Sequence, residues 1–150
     1  MDPLLRMPTL YCVFAALPEV CAAIACRATL LGCQGRWGVT RVRLEVLAHG
    51  RSGDKGEASN VGVIARNEAV YAWLCENLTP DLVKRLLGGI VRGTVERFEI
   101  PNLLAFNFIL HDSLGGGGTA SLLTDAQGKT HAQALLRCVV EVPDDLLRGI

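Results

Sequence analysis

The chain has 150 residues and a mass of 16.1 kDa, which is enough for one domain with a sizeable hydrophobic core. Fifteen Lys and Arg residues balance fifteen Asp and Glu residues, so the chain lacks the basic surplus with which nucleic-acid-binding proteins neutralise phosphates. Half of the residues are hydrophobic and the mean hydropathy is +0.31, which excludes an intrinsically disordered chain. The sequence as a whole favours a soluble α+β domain that does not bind nucleic acid.

Residues 1–39 differ in composition from the rest of the chain. This leader carries only five charged residues but four of the six cysteines, namely Cys12, Cys21, Cys26 and Cys33. Pro8, Pro18 and Glu19 interrupt the apolar run that a membrane span requires, and the cysteine spacings match no standard zinc site. We therefore expect a cytoplasmic protein with reduced cysteines, no metal and no membrane contact. The leader is interpreted as a weakly ordered extension of a domain that covers residues 40–150.

The first elements of the domain are predicted from local periodicity. Polar and apolar residues alternate over residues 41–46, which predicts a strand with one buried face. Three glycines among residues 50–56 predict a loop, and the β-branched residues of 60–66 predict a second strand.

Two helices are predicted next. Asn67 is a suitable N-cap for the first, in which Val70 and Leu74 share one face. The tripeptide Thr79–Asp81 supplies an N-cap, a first-turn proline and an acid for the second, and the glycine pair at 88–89 ends it.

Two further strands are predicted over residues 94–100 and 104–111, with a break at Pro101 and Asn102. In the second strand, one face is apolar and predicted to be core; it consists of Leu104, Phe106, Phe108 and Leu110. Asn107 and His111 share the opposite face, which we expect to meet solvent or a ligand.

The remaining chain completes the predicted fold. Residues 121–125 are predicted to be extended, 129–136 helical, and 138–142 a final strand that Pro143 ends. The resulting strand–helix order is βαββαβ, which predicts a ferredoxin-like split βαβ domain with helices on one face of a mostly antiparallel sheet.

The segment around residues 50–56 is the first candidate site. It combines two cations with a carboxylate, a hydroxyl and three glycines; the functional members are Arg51, Ser52, Gly53, Asp54, Lys55 and Gly56. Glycines let backbone N–H groups approach an anion closely, while Arg and Lys supply charge, so a phosphate or carboxylate would suit this segment. The alternative is a polar surface turn with an internal ion pair.

Other candidates are weaker. The run Gly115–Gly118 is interpreted either as a second backbone site for an anion or as a flexible connector. Gly128–Thr130 lacks the earlier glycine of a P-loop, which excludes that motif. His111 is a candidate general base or polar pocket wall, although no catalytic triad is expected with its immediate neighbours. His131 is expected to cap a helix or lie on the surface, and the two later cysteines to pack as small hydrophobes.

Several motifs occur in a fixed order along the chain, namely Arg51–Gly56, Asn60–Arg66, Pro101–His111, Gly115–Thr119 and Asp125–Lys129. Together they resemble the small C-terminal domain of acyclic terpene utilisation protein A (AtuA), which is also found as a free-standing chain. The resemblance covers about residues 40–143 and implies a ferredoxin fold. It also implies a link with catabolism of acyclic terpenes and branched acyl-CoA compounds. Glu57 departs from the expected Asn or Asp.

Three functions are consistent with the residues and the resemblance together. The first is an accessory or ligand-binding domain that holds an anionic acyl-CoA or carboxylate and partners a larger AtuA-like subunit or a second copy. The second is a hydratase or lyase acting on acyl-CoA with His111 or Asp54 as base, and the third is a structural interaction module. No cofactor is expected. Besides Asp54 and His111, the predicted site consists of Arg51, Ser52, Gly53, Lys55, Gly56, Asn60, Asn102, Asn107, Gly115, Gly116, Gly117, Gly118 and Thr119.

Overall fold

The computed structural model describes residues 38–150, so the cysteine-rich leader predicted over residues 1–39 lies almost entirely outside the described part. The strands within this range are β1 Val39–Arg43, β2 Ala48–Lys55, β3 Ala58–Ala65, β4 Val95–Ile100, β5 Ala105–Leu110 and β6 Val139–Pro143. The helices are α1 Leu44–Leu47, α2 Glu68–Asn77, α3 Pro80–Leu87, α4 His131–Arg137 and α5 Asp144–Leu147, with 3₁₀ turns at Gly88–Ile90 and Pro101–Leu103. No helix of the described residues has the length and apolar character needed to cross a membrane.

The strands form two antiparallel sheets. The larger one has four strands in the order β2-β3-β5-β4, and the smaller one pairs β1 with β6. The predicted α+β, ferredoxin-like architecture is confirmed. The sequence did not predict β2, which forms the edge of the larger sheet beside β3. The last strand, β6, pairs with β1 instead.

The strand predicted over residues 41–46 is wrong in its second half. Strand β1 ends at Arg43, and the next four residues form α1. Leu44 and Leu47 are both buried, and a spacing of three residues places both side chains on one face of a helix rather than of a strand. Burial of this pair therefore overrides the polar–apolar alternation.

The predicted loop over residues 50–56 is also wrong, because the chain is a strand as far as Lys55. Every residue from Ala48 to Lys55 pairs with a residue of β3, and the turn is confined to Gly56 and Glu57. Gly50 fits this strand because α4 packs closely on it: a Cβ there would lie 3.2 Å from Leu136 Cδ1. Pairing across the hairpin outweighs the weak strand propensity of glycine.

The N-caps of α2 and α3 and the end of α3 were predicted correctly. The side chain of Asn67 accepts the amide of Val70 at 2.9 Å, and that of Thr79 accepts the amide of Leu82 at 3.2 Å. Helix α3 ends before Gly88, whose φ of 52° lies in the left-handed region that glycine tolerates.

The segments after β5 depart more from the predictions. Residues 121–125 contain one bend and the start of a turn rather than an extended segment, and α4 begins at His131 instead of residue 129. The predicted tail after Pro143 begins with the short helix α5.

The core lies between the four-stranded sheet and its helices. Side chains of β3 and β5 with the parity of Val61, Phe106 and Phe108 point into it, together with apolar residues of α2, α3 and α4. We call this the inner face of the sheet and the opposite side the outer face. The predicted core parity of β5 is confirmed for Phe106, Phe108 and Leu110, while Leu104 precedes the strand and is half-buried.

Candidate functional site

The edge strand β2 places its two cations on the outer face. Arg51 lies opposite Gly62 of β3, Gly53 opposite Asn60, and Lys55 is the last paired residue of the strand. Because side chains alternate along a strand, Arg51, Gly53 and Lys55 share one face. The strand therefore brings together the cations that the sequence suggested.

These residues surround a cleft of about 470 Å³ along the outer edge of the β2–β3 hairpin, which we call the β2 cleft. Its polar lining includes His49, Arg51, Lys55, Asn60 and Lys129. Glycine backbone without side chains forms the floor of the cleft. A Cβ on Gly53 would lie 3.6 Å from Asn60 Oδ1 and 3.6 Å from Lys129 Nζ. The ammonium of Lys129 therefore lies close to the backbone of Gly53, at the centre of the strand that carries Arg51 and Lys55.

The cations of the cleft have no acidic partner within residues 38–150. The ion pairs there join Arg43 to Glu45, Arg97 to Glu99, and His111 to Glu96. Lys55 Nζ donates to the backbone carbonyl of Asp54 at 3.0 Å, not to a carboxylate. The alternative of a surface turn with an internal ion pair is therefore not what the described residues form. Arg51, Lys55 and Lys129 concentrate positive charge around a glycine floor, and such a cleft can bind an anion.

Ser52 has a different role from its neighbours. It points to the inner face, is 6% exposed, and its Oγ accepts the amide of Ala132 at 3.0 Å, which fixes the start of α4 against β2. Its hydroxyl is buried and already accepts a backbone amide, so it supports the packing of α4, and its ligand-binding role stays a prediction. Asp54 shares the parity of Ser52, yet it lies near the exposed end of β2 and still lines the cleft.

Asn107 and His111 lie on the outer face, as their parity predicted. Asn60 Nδ2 donates to Asn107 Oδ1 at 3.3 Å, and His111 Nε2 lies 2.9 Å from Glu96 Oε1. His111 follows β5 directly and donates its amide to the carbonyl of Thr94. Four residues of extended chain separate the two side chains by roughly 13 Å, so they do not converge on one small ligand.

The glycine run after β5 comes close to the turn between β2 and β3. Gly117 has a φ of 87°, and a Cβ there would lie 2.8 Å from the carbonyl oxygen of Gly56. The carbonyl of Glu57 accepts the amide of Leu114 at 3.0 Å, so this position contributes through its backbone. The two glycine-rich segments are thus neighbours, with Thr119 exposed just beyond them.

Asn102 is separate from this group. It lies in the exposed 3₁₀ turn that precedes β5, whereas the glycine run follows the other end of that strand. The six residues of β5 keep the two ends apart, so the structure does not bring Asn102 together with the glycine run, and its ligand-binding role stays a prediction.

The sequence model of the AtuA ferredoxin-like domain matches residues 42–141, which is two thirds of the chain. The chain belongs to this family. No curated protein and no solved structure is significantly similar to it. The suspected resemblance is confirmed, and the match covers both the sheet and the cleft.

Lys129 is a cleft residue of this AtuA ferredoxin-like domain that sequence reasoning missed. It precedes α4 and belongs to the family string Asp125–Lys129, but it was not among the predicted site residues. Its contribution depends on the chain between β5 and α4 returning to β2, and no local pattern shows that return.

A buried polar cluster was also missed. Ser59 Oγ lies 2.9 Å from Ser113 Oγ and 2.8 Å from His131 Nδ1, and the amide of Ser59 donates to Ser113 Oγ at 3.0 Å. The prediction that His131 caps a helix or lies on the surface is wrong, since only 6% of it is exposed. One sequence feature could have revealed its burial: it precedes buried Leu135 by four residues and so shares its helix face.

The cysteines of the AtuA ferredoxin-like domain do not form a reactive or metal-binding site among the described residues. Cys75 and Cys138 are half-buried free thiols, and burial raises the pKa of Cys138, which disfavours its thiolate form. Within residues 38–150, no three His, Cys, Asp or Glu side chains are grouped to hold a metal ion.

Proposed function

We propose that this AtuA ferredoxin-like domain is an accessory, ligand-binding domain that holds an anionic acyl-CoA or carboxylate in the β2 cleft. The observation that carries the proposal is the set of three cations without acidic partners around the glycine floor of that cleft. The family supports a role linked with catabolism of acyclic terpenes or branched acyl-CoA compounds.

The charge of the cleft supports an anionic head group. Arg51 offers a planar fork for two oxygens, whereas Lys55 and Lys129 act as point charges. The glycine run lies beside Gly56 and does not line the cleft, so a phosphate or carboxylate near Gly53 would be held by the side-chain cations.

The apolar end of the cleft supports an acyl chain. Ile64 lines the cleft, is half exposed, and lies opposite His49, whereas Lys55 lies at the far end of the strand pair. An amphipathic ligand can therefore place its anionic head near Gly53 and its apolar part near Ile64. Burial of an exposed apolar surface of this kind favours binding by about 25 cal/mol per Å².

The proposal is tested by a thermal-shift screen followed by calorimetric titration of the purified protein. The probes are CoA, short and branched acyl-CoAs, the corresponding free acids, and inorganic phosphate. Binding to the native state raises the melting temperature with ligand concentration. Selective stabilisation by acyl-CoAs or branched acids is expected, and no shift with any probe contradicts the proposal.

A double variant identifies the site. Changing Arg51 and Lys55 together to Ala should weaken binding by about a hundredfold, because each removes a hydrogen bond to a charged group. The matched control changes Lys84 and Arg85 to Ala; these cations are exposed on α3 and do not line the cleft. Equal affinities for both double variants would place the ligand elsewhere.

A second candidate function is a hydratase or lyase acting on acyl-CoA with His111 as general base. The hydrogen bond with Glu96 favours it, because a carboxylate that holds one ring nitrogen orients the imidazole. Turnover of an enoyl-CoA or hydroxyacyl-CoA that is lost in His111→Gln but not in His49→Gln would support this function. Asp54, the other candidate base, has no such partner among the described residues.

The outer face also supports a protein partner. Phe98, Ile64 and Ile100 are exposed there, on neighbouring rows of the sheet. We infer that this patch contacts a larger AtuA-like subunit or a second copy of the chain. Sedimentation of the wild-type protein alone and with the larger subunit tests this, with Phe98→Glu expected to abolish association.

A further inference from the structure

A second cavity of about 330 Å³ lies between the segments that follow α3 and β5 and the start of α4. Its lining includes Ile90, Arg92, Ser113, Leu123 and His131. It shares no lining residue with the β2 cleft. It is therefore a separate cavity from the proposed acyl-CoA site.

His131 lines this cavity and has one ring nitrogen without a hydrogen-bond partner among the described residues. The residue is more than nine-tenths buried, and its Nδ1 forms a hydrogen bond with Ser59 Oγ. Its Nε2 has no hydrogen-bond partner among the described residues. Tyr71 Oη is the only side-chain polar atom of residues 38–150 that is both closed off from solvent and unpartnered. The Nε2 atom is therefore not sealed from solvent, and His131 is one of the residues that line the cavity.

The hydrogen bonds around Ser59 assign the tautomer of His131. Ser113 Oγ donates to the carbonyl of Leu110 at 2.8 Å, so it can only accept from Ser59. The hydroxyl proton of Ser59 then fills the 2.9 Å contact with Ser113, and Ser59 Oγ accepts from Nδ1–H of His131. In the other tautomer Ser59 would donate to Nδ1, leaving two hydroxyl oxygens 2.9 Å apart with no proton between them. In this tautomer Nε2 carries no proton and can only accept a hydrogen bond.

The burial of His131 favours a neutral imidazole. Burial lowers the pKa of His131, and the charge of Asp125 opposes this only in part. Asp125 is itself occupied, since its carboxylate accepts the amides of Lys129 and Thr130 and the Thr130 hydroxyl. Nε2 therefore accepts a hydrogen bond from a ligand rather than donating one.

Arg92 supplies the positive group of the cavity. Within the described part of the chain, its guanidinium forms no ion pair and no side-chain hydrogen bond, while its amide is held by the carbonyl of Asp112. Ile90 and Leu123 add apolar surface to the same lining. A matching ligand carries a carboxylate, a hydrogen-bond donor and a short apolar body.

We propose that this cavity binds a small hydroxycarboxylic acid, whose carboxylate pairs with Arg92 and whose hydroxyl donates to Nε2 of His131. Ser59 and Ser113 hold the imidazole in the required tautomer. The hydroxyl distinguishes this ligand from a simple fatty acid, which cannot satisfy Nε2.

The test is NMR of the imidazole nitrogens in ¹⁵N-labelled protein. The His131 signals are assigned by elimination with His49→Gln and His111→Gln, so the buried residue stays intact. The probes are glycolate, lactate and 3-hydroxybutyrate, each paired with the acid that lacks the hydroxyl: acetate, propionate and butyrate. The free protein should show an unprotonated Nε2, and the fitting hydroxy acid should move that resonance.

The best hydroxy acid should bind roughly three- to tenfold more tightly than its partner without the hydroxyl. Arg92→Gln should weaken it about tenfold, whereas the Arg51 and Lys55 double Ala variant should not change it. The proposal is overturned if Nε2 carries the proton in the free protein, if no hydroxy acid moves the resonance, or if both members of each pair bind equally. A failure of the β2 cleft to bind acyl-CoA leaves these outcomes unaffected.

Discussion

The two faces of the four-stranded sheet carry sites of different kinds. On the outer face, Arg51 and Lys55 of β2 extend into an open cleft and make few bonds to the protein. On the inner face, Ser59 and His131 are buried and bonded to each other. Exposed cations cost little to hold because water solvates them, whereas buried hydroxyls and imidazoles are tolerated only when they are hydrogen-bonded.

This difference separates binding from stability. Changes on the outer face should alter what the domain binds while the fold remains, because few other groups depend on those side chains. Changes on the inner face should affect stability and site geometry together, since the same hydrogen bonds serve both.

The largest contrast is expected between two phenylalanines on adjacent strands. Phe108 is fully buried on the inner face, whereas Phe98 is 51% exposed on the outer face. Phe108→Ala should lower the free energy of unfolding by about 3–5 kcal/mol. Phe98→Ala should change it by no more than about 0.5 kcal/mol. Urea denaturation of both variants checks this, and similar losses would remove the distinction between the faces.

A smaller contrast is expected between neighbours on β3. Ser59→Ala removes the central hydroxyl of the buried cluster and should cost about 1–3 kcal/mol, because Ser113 and His131 lose a partner. Asn60→Ala removes a longer, half-exposed bond to Asn107 and should cost no more than about 0.5 kcal/mol. Denaturation midpoints of the two variants measure the difference. Equal losses would mean that the cluster does not stabilise the inner face.

Acid pH should weaken the inner face specifically. Because burial lowers the pKa of His131, the unfolded chain takes up a proton before the folded chain does as the pH falls. The stability from neutral His131 is present above its ordinary pKa of about 6.5 and is lost as the pH falls below that value. The charges of Asp125, Asp112 and Arg92 border the same cavity, and Asp125 reduces the effect.

The measurement is the free energy of unfolding between pH 8 and pH 5. The decline below pH 6.5 should be smaller in His131→Gln than in the wild type. His49→Gln, which changes an exposed histidine on the outer face, should keep the wild-type decline. Identical slopes in all three proteins would contradict the assignment.

The smallest effect on stability is expected from the cleft itself. Replacing Arg51 and Lys55 with Ala should leave the denaturation midpoint unchanged, because neither side chain forms an ion pair among the described residues. The same variant should lose anion binding in the titration described above. A large drop in the midpoint would show that these cations support the fold, and the two faces would then no longer differ in this respect.

Local features of the sequence were sufficient to predict much of the fold. The caps at Asn67 and Thr79 and the end of α3 at Gly88 depend on neighbouring residues, so they could be located from the sequence alone. The parity of β5 was also predictable, because alternation within one strand needs no partner. The family motifs marked Arg51, Lys55 and the glycine run before any geometry was known.

Tertiary structure decided the strand nature of β2, the separation of Ser52 from Arg51, and the assembly of both cavities. Glycine has a low intrinsic propensity for strands, so β2 is a strand because it pairs with β3. Ser59 meets Ser113 across 54 positions and His131 across 72. Contacts over such separations depend on how the sheet and α4 pack together, and the residues near each partner do not encode that packing by themselves.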